Sequence, residues 1–156
     1  MEQNSEIYLT NIREKINEMW SKRPEEVTKL RRRPGTLNNK GALLMAIEAE
    51  SRFFVQDLFV LEQTAKSGKV DLESLKTITQ ALLNSKQGWQ RSYKLQQTID
   101  IMKNCVNAVG NVKNFAEYIE VLDSLRQYLN LWNYWLDLQI PWHDLMKTYE
   151  RVLERE

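Results

Sequence analysis

The sequence predicts an all-α fold, namely an antiparallel bundle of five to six helices with two long central helices. Apolar side chains recur at intervals of three and four residues in six segments, which is the spacing of an amphipathic helix face. The 156 residues include only five glycines and three prolines, and this scarcity disfavours turn-rich β folds. The connections between segments are short, so consecutive helices should run antiparallel. The length fits a single domain over residues 1–156.

Six apolar stripes follow one another along the chain, and the last of them is the weakest. Their positions are, in chain order, Leu9, Ile12, Ile16 and Met19; Leu44, Ile47, Ser51, Phe54, Leu58, Leu61 and Ala65; Leu75, Ile78 and Leu82; Leu95, Ile99, Met102, Val106 and Val109; Phe115, Tyr118, Leu122, Leu125, Leu129, Trp132 and Leu136; and Trp142, Leu145, Tyr149 and Val152. The second and fifth stripes predict the two long helices, near 41–66 and 112–139, each roughly 40 Å in length at 1.5 Å per residue.

Glycine, asparagine, aspartate and proline residues mark the predicted helix boundaries. Gly68 suits a helix end in the left-handed conformation, and Asp71 is placed to cap the helix that follows. The other predicted boundary residues are Gly88, Gly110, Asn111 or Asn114, and Pro141.

Residues 22–41 are predicted to form a mobile, basic helix–loop segment on the surface. Val27 and Leu30 are the only large apolar residues of its brief helix, so this helix should bury little. Cations in such a segment can bind the phosphates of RNA or DNA. The candidate residues are Arg23, Lys29, Arg31, Arg32, Arg33 and Lys40. A solvated charge run is the alternative, because consecutive helical residues diverge by about 100° each and cannot share one face.

The clearest indication of function is the stretch 128–138, YLNLWNYWLDL, in which eight of eleven residues are large and apolar or aromatic. One face continues the core stripe, whereas Leu131, Tyr134 and Leu138 lie largely off it. A helix that is apolar on several sides either lies at the centre of a bundle or buries its second side against a partner. Tyrosine and tryptophan favour such interfaces. The predicted interface residues are Phe59, Leu131, Trp132, Tyr134, Trp135 and Leu138.

No pattern in the sequence indicates a catalytic or metal centre. His143 is the only histidine and Cys105 the only cysteine, which rules out a histidine-rich zinc site and an internal disulfide. The formal net charge of +1 provides no global attraction to nucleic acids or anionic membranes. No apolar run is long enough to span a bilayer. We therefore expect a cytoplasmic protein that is not an enzyme, holds no cofactor or metal and does not bind membranes.

The leading hypothesis is a non-enzymatic helical interaction module. It would act as a subunit or adaptor that docks onto a protein partner, or onto itself, through the aromatic-rich helix face. The alternative is a small helical subunit that binds the RNA or DNA backbone through the basic segment 22–40, with an affinity that falls steeply with salt. An enzyme or small-ligand binder with an aromatic pocket is less favoured, because no polar residues converge on the aromatic stretch in the sequence.

Overall fold

The computed structural model describes residues 5–31 and 37–139, and within these ranges it contains six helices and no strand. The helices are α1 Ser5–Met19, α2 Glu25–Arg31, α3 Leu37–Ser67, α4 Leu72–Ser92, α5 Gln96–Gly110 and α6 Phe115–Asp137. The predicted all-α bundle is therefore confirmed, with α3 and α6 as its longest helices. The final helix predicted around Trp142 and Leu145 lies outside the described residues.

Helix α6 makes the most varied contacts, since it packs against α1, α2, α3 and α5. Helix α3 packs mainly along α6, while α4 packs mainly on α5 and α5 also contacts α1. Buried apolar side chains from all six helices form one core, to which α6 contributes Tyr118, Leu122, Leu125, Leu129, Trp132 and Leu136 among others. No helix within the described ranges is both long enough and apolar enough to cross a membrane.

Several helix ends use the residues that the sequence predicts. Gly68 ends α3 with a φ of 69°, a left-handed conformation that glycine adopts without steric cost. The carboxylate of Asp71 accepts a hydrogen bond from the Ser74 amide at 3.1 Å, so Asp71 caps α4. Asn114 caps α6 in the same way, through the Glu117 amide at 2.8 Å. Helix α5 ends at Gly110 as predicted.

The prediction for α4 is wrong in two respects. Gly88 lies inside the helix, which continues to Ser92, and the chain turns at Lys94 with a φ of 58°. Ile78 was expected in the core stripe but is 51% exposed. Thr79 occupies the core position instead. Its hydroxyl lies 2.6 Å from the Tyr118 hydroxyl and is also bonded to the α4 backbone. A buried, paired threonine shifts the inward face of α4 in a way that apolar spacing does not reveal.

Helix α2 is buried more deeply than its composition predicts. Val27, Leu30 and the charged residue Glu26 are almost fully buried in this helix, and so is Pro24, which directly precedes it. The expectation that this short helix buries little is therefore wrong. The physical reason is the long-range hydrogen bonding of Glu26, which is described below.

Candidate protein interface

An open groove of about 480 Å³ lies between α1 and α6. Its volume falls in the range of roughly 300–1,000 Å³ that is typical of binding pockets. The lining side chains come from the C-terminal parts of the two helices and are mostly apolar or aromatic. They are Ile16, Met19 and Trp20 on one wall and Gln127, Asn130, Leu131, Tyr134 and Trp135 on the other.

The groove continues toward the N-terminal half of α6 as a polar channel. Its lining includes Arg13 and Asn17 of α1 and Glu120, Asp123 and Ser124 of α6. Arg13 forms ion pairs with both Glu6 and Glu120, so its charge is already neutralised. The site is thus elongated, with an apolar end and an end lined by carboxylates.

Helix α6 forms this groove because its sequence carries two apolar stripes. Tyr128, Leu129, Trp132 and Leu136 point into the bundle and are buried. The offset stripe of Leu131, Tyr134 and Leu138 remains half-buried or exposed, and Tyr134 retains 54% of its surface. The surplus apolar surface that the sequence predicts on the far side of α6 is therefore present. Leu131, Tyr134 and Trp135 line the groove, whereas Leu138 is exposed beyond its lining.

Trp135 is held rigidly at the apolar end of the groove. Its indole Nε1 donates a hydrogen bond of 2.7 Å to the backbone carbonyl of Met19, one of the last carbonyls of α1, which have no partner within the helix. The Tyr134 ring meets the Trp135 ring edge to face at 5.4 Å. The guanidinium carbon of Arg23 lies 6.0 Å from the centre of the indole, within the range of a cation–π contact. The tryptophan is thus fixed before any partner arrives.

Trp20 is the groove residue that the sequence reasoning missed. It retains 72% of its surface, which is more than any other large apolar residue among those described. Trp20 directly follows Met19, the last residue of the α1 stripe, so it projects about 100° away from the buried face. The sequence did contain an indication of this exposed residue, because a tryptophan lies one position outside the apolar stripe of α1.

Trp132 is not available to a partner, and its prediction as an interface residue is wrong. Its side chain is 1% exposed, and its Nε1 donates a 2.7 Å hydrogen bond to Oε1 of Glu26. The same carboxylate accepts hydrogen bonds from the backbone amides of Gln97, at 3.0 Å, and Thr98, at 3.3 Å, and from the Thr98 hydroxyl. Glu26 therefore caps α5 from a different helix, at an end where Leu95 supplies no side-chain cap. This network fixes α2, α5 and α6 together beneath the groove.

Burial raises the pKa of Glu26 above its ordinary value, and the hydrogen bonds from Thr98 and Trp132 oppose this shift only in part. A carboxyl whose pKa is higher in the folded than in the unfolded state stabilises the fold below its unfolded pKa and loses that contribution as pH rises through its folded pKa. We therefore expect the free energy of unfolding of the wild type to fall, relative to that of Glu26→Gln, as pH rises from the unfolded to the folded pKa of Glu26. Urea unfolding at a series of pH values measures the difference, and an invariant difference would contradict the expectation.

Phe59 is exposed, as expected of an interface residue, but it lies on α3 and not in the groove. It is 45% exposed, and the guanidinium carbon of Arg126 lies 5.2 Å from the centre of its ring. Arg126 in turn forms an ion pair with the buried Glu62 and another with Asp123 at 3.0 Å. Burial raises the pKa of Glu62, and the Arg126 hydrogen bond opposes that shift. Phe59 thus covers an ion-paired contact between α3 and α6.

Of the basic residues predicted to bind nucleic acid, only Arg23 and Lys29 have described side chains, and both contact other residues of the chain. Arg23 donates a 3.3 Å hydrogen bond to Gln139 and faces Trp135, while Lys29 pairs with Glu25 at 3.6 Å. The side chains of Arg31, Arg32, Arg33 and Lys40 lie outside the described residues. Nucleic-acid binding through this segment stays a prediction.

The described ranges contain no cluster of three or more histidine, cysteine, aspartate or glutamate residues placed to hold a metal ion. Cys105 is buried in the core as a small apolar residue, and its burial raises the pKa of the thiol. A buried, protonated thiol is a poor nucleophile. His143 lies outside the described residues.

Comparison with known proteins gives one match, to a family model. Residues 6–138 match the family described as the cucumopine synthase C-terminal helical bundle domain. The matched range starts at the second residue of α1 and ends just after α6, so it includes nearly all of α1, the other five helices and the groove. No curated protein and no solved structure was found to match the chain.

Proposed function

Because the chain belongs to the family of the cucumopine synthase C-terminal helical bundle domain, we propose that it acts as a non-catalytic docking module. Its α1–α6 groove binds a helical segment of a partner protein. The observation that carries the proposal is the groove itself, in which Trp20 and Tyr134 remain exposed beside the immobilised ring of Trp135.

The composition of the groove supports a protein ligand. Tryptophan and tyrosine dominate the binding energy of protein interfaces because they bury a large area at a small cost in side-chain entropy. Gln127 and Asn130 place amide groups beside the apolar surface, and such groups can bond to polar atoms of the partner at the rim. A rigid anchor such as Trp135 lowers the entropy that is lost on binding.

The shape of the groove supports a helix as the occupant. The apolar part continues into a channel lined by Glu120 and Asp123. The lining therefore runs along α6 from Glu120 to Trp135, roughly 22 Å at 1.5 Å per residue. An amphipathic helix would bury apolar side chains against Trp20 and Tyr134 and would place polar side chains at the channel end. There Glu120 and Asp123 are already paired with Arg13 and Arg126. This arrangement follows the usual helix-in-groove mode of recognition.

The family description indicates where to seek the partner. It places bundles of this kind at the C-terminal end of a synthase, where they accompany the rest of that enzyme. We propose that the remainder of such a synthase, in the same chain or a separate one, supplies the helical segment. The bundle positions or stabilises its partner and performs no reaction of its own.

The proposal predicts measurable binding between the bundle and the non-bundle portion of a cucumopine synthase. Titration calorimetry of the two purified proteins should show an affinity that Trp20→Ala and Tyr134→Ala each weaken at least tenfold, since each removes an interface anchor. The heat-capacity change should be negative, because apolar surface is buried. Ile78→Ala is the matched control, since it removes an exposed apolar side chain of α4 that does not line the groove. The proposal fails if no binding is detected, or if the control weakens binding as much as the groove variants do.

A further inference from the structure

Helix α3 has a second apolar surface that does not contribute to the groove. Its buried residues Ile47, Phe54 and Leu58 face the bundle, and α3 packs mainly along α6. On the other side of the helix, Phe53 is 64% exposed and Val60 is 55% exposed. At 100° per residue, these two positions lie nearly opposite the inward-facing stripe.

These exposed side chains belong to a continuous seam with alternating steps of three and four residues. The seam, called the outer seam below, consists of Ala46, Ala49, Phe53, Gln56, Val60 and Gln63, all of which are exposed. This spacing corresponds to the a and d positions of a heptad repeat, with Ala46, Phe53 and Val60 at a. Such a seam is suited to pairing with another helix of the same spacing.

The charges that flank the outer seam discriminate between possible partners. Glu50 and Asp57 occupy the e positions, whereas Arg52 and Lys66 occupy g positions on the other flank. In an antiparallel pair of identical helices, e positions face e positions and g positions face g positions. Like charges would then lie opposite each other and repel. In a parallel pair, each g residue faces the e residue five positions ahead on the other helix. Arg52 of each copy then faces Asp57 of the other, twice by symmetry.

Arg52 is already oriented for this contact. Its Nε donates a 2.6 Å hydrogen bond to the carboxylate of Glu48 one turn earlier, while its side chain is still 60% exposed. The terminal nitrogens of the guanidinium can therefore reach a carboxylate on another molecule. At the d layers of a parallel pair, Gln56 and Gln63 face their own copies, and two side-chain amides can form hydrogen bonds with each other.

We propose that the outer seam of α3 forms a parallel, two-fold symmetric homodimer, in which Arg52 of each chain pairs with Asp57 of the other. The dimer is weak and concentration-dependent, because polar residues at d positions lower stability while they fix register. It leaves the groove between α1 and α6 open, so it is independent of the docking function proposed above.

Sedimentation equilibrium of the full chain across a range of concentrations tests the dimer. Phe53→Glu should weaken dimerisation at least tenfold, because it places a charge in the seam. Arg52→Glu and Asp57→Arg should each weaken it severalfold, and the double variant should recover most of the loss because the pairs are exchanged. Arg91→Glu, a reversal on the exposed surface of α4, is the matched control and should have no effect. Far-UV circular dichroism checks that each variant remains folded.

Disulfide trapping tests the orientation of the two helices. Ala49→Cys lies at a d position, so two such residues meet across the axis of a parallel pair and should form an intermolecular disulfide under mild oxidation. The exposed Ala81→Cys on α4 should not cross-link at the same concentration. The inference is overturned by a chain that stays monomeric at all concentrations, by equal cross-linking of both variants, or by a double charge variant that is no better than the single ones. Loss of the dimer in Trp20→Ala would also overturn it, because self-association would then use the groove.

Discussion

Replacement of Trp132 by alanine is expected to lower the free energy of unfolding by about 3–5 kcal/mol, the usual cost of removing a large aromatic side chain from a core. Trp132 is the largest of the fully buried side chains described, and its removal would leave a cavity between α6 and α2. It would also remove one of the donors that hold the Glu26 carboxylate. Urea unfolding followed by circular dichroism measures the change without relying on tryptophan fluorescence.

Trp132→Phe separates the packing contribution from that of the hydrogen bond. Phenylalanine retains most of the buried ring area but has no N–H, so we expect a loss of about 1.5–3 kcal/mol, the range for hydrogen bonds to charged groups. If both replacements cost less than about 1 kcal/mol, Trp132 is not the central packing residue that its burial indicates.

Replacement of Glu26 by alanine is expected to cost about 3 kcal/mol, although it removes a charge from the protein interior. The carboxylate accepts hydrogen bonds from two α5 amides, the Thr98 hydroxyl and the Trp132 indole. Removing it leaves these buried donors without a partner, and each unsatisfied group costs about 1–3 kcal/mol. Relief of the desolvation of the charge offsets part of this loss. The total loss of stability therefore stays well below the sum of the costs of the four unpaired donors.

Two further variants show whether the loss comes from this network. Glu25→Ala removes the neighbouring exposed glutamate of α2 and should change stability by less than about 0.5 kcal/mol, as is usual for surface sites. The double variant Glu26→Ala with Trp132→Phe should be less damaging than the sum of the two single changes by about 1 kcal/mol or more, because both remove the same hydrogen bond. Strict additivity would mean that the carboxylate and the indole stabilise the fold separately.

The network also affects the proposed interface. Trp132 lies one residue after Leu131 and three before Trp135, and both of these line the groove. Any shift of α6 caused by loss of the buried indole therefore also moves the α6 side chains that line the groove. We expect binding-defective variants to fall into two classes, which unfolding measurements distinguish: Trp20→Ala should leave stability nearly unchanged, whereas Trp132→Ala should lower it.

Features that depend on residues close to one another in the chain were predictable from the amino-acid sequence. The periods of three and four residues predicted the helices, and Gly68, Asp71 and Asn114 predicted three of their ends, because capping uses atoms within a few residues of the boundary. The excess of apolar surface on α6 was likewise readable, since it requires only the count of large residues around one helix. Tyr134 and Leu131 were identified in this way.

Which apolar surfaces remain exposed depends on how the helices pack against one another. Trp132 is covered because Glu26, more than a hundred residues earlier, brings α2 against α6, whereas Trp20 is left bare because no described helix covers that side of α1. Thr79 replaced Ile78 in the core because Tyr118 of α6 offered a hydroxyl partner. Each outcome depends on a contact between residues far apart in sequence, and local periodicity contains no information about which distant side chain will supply it.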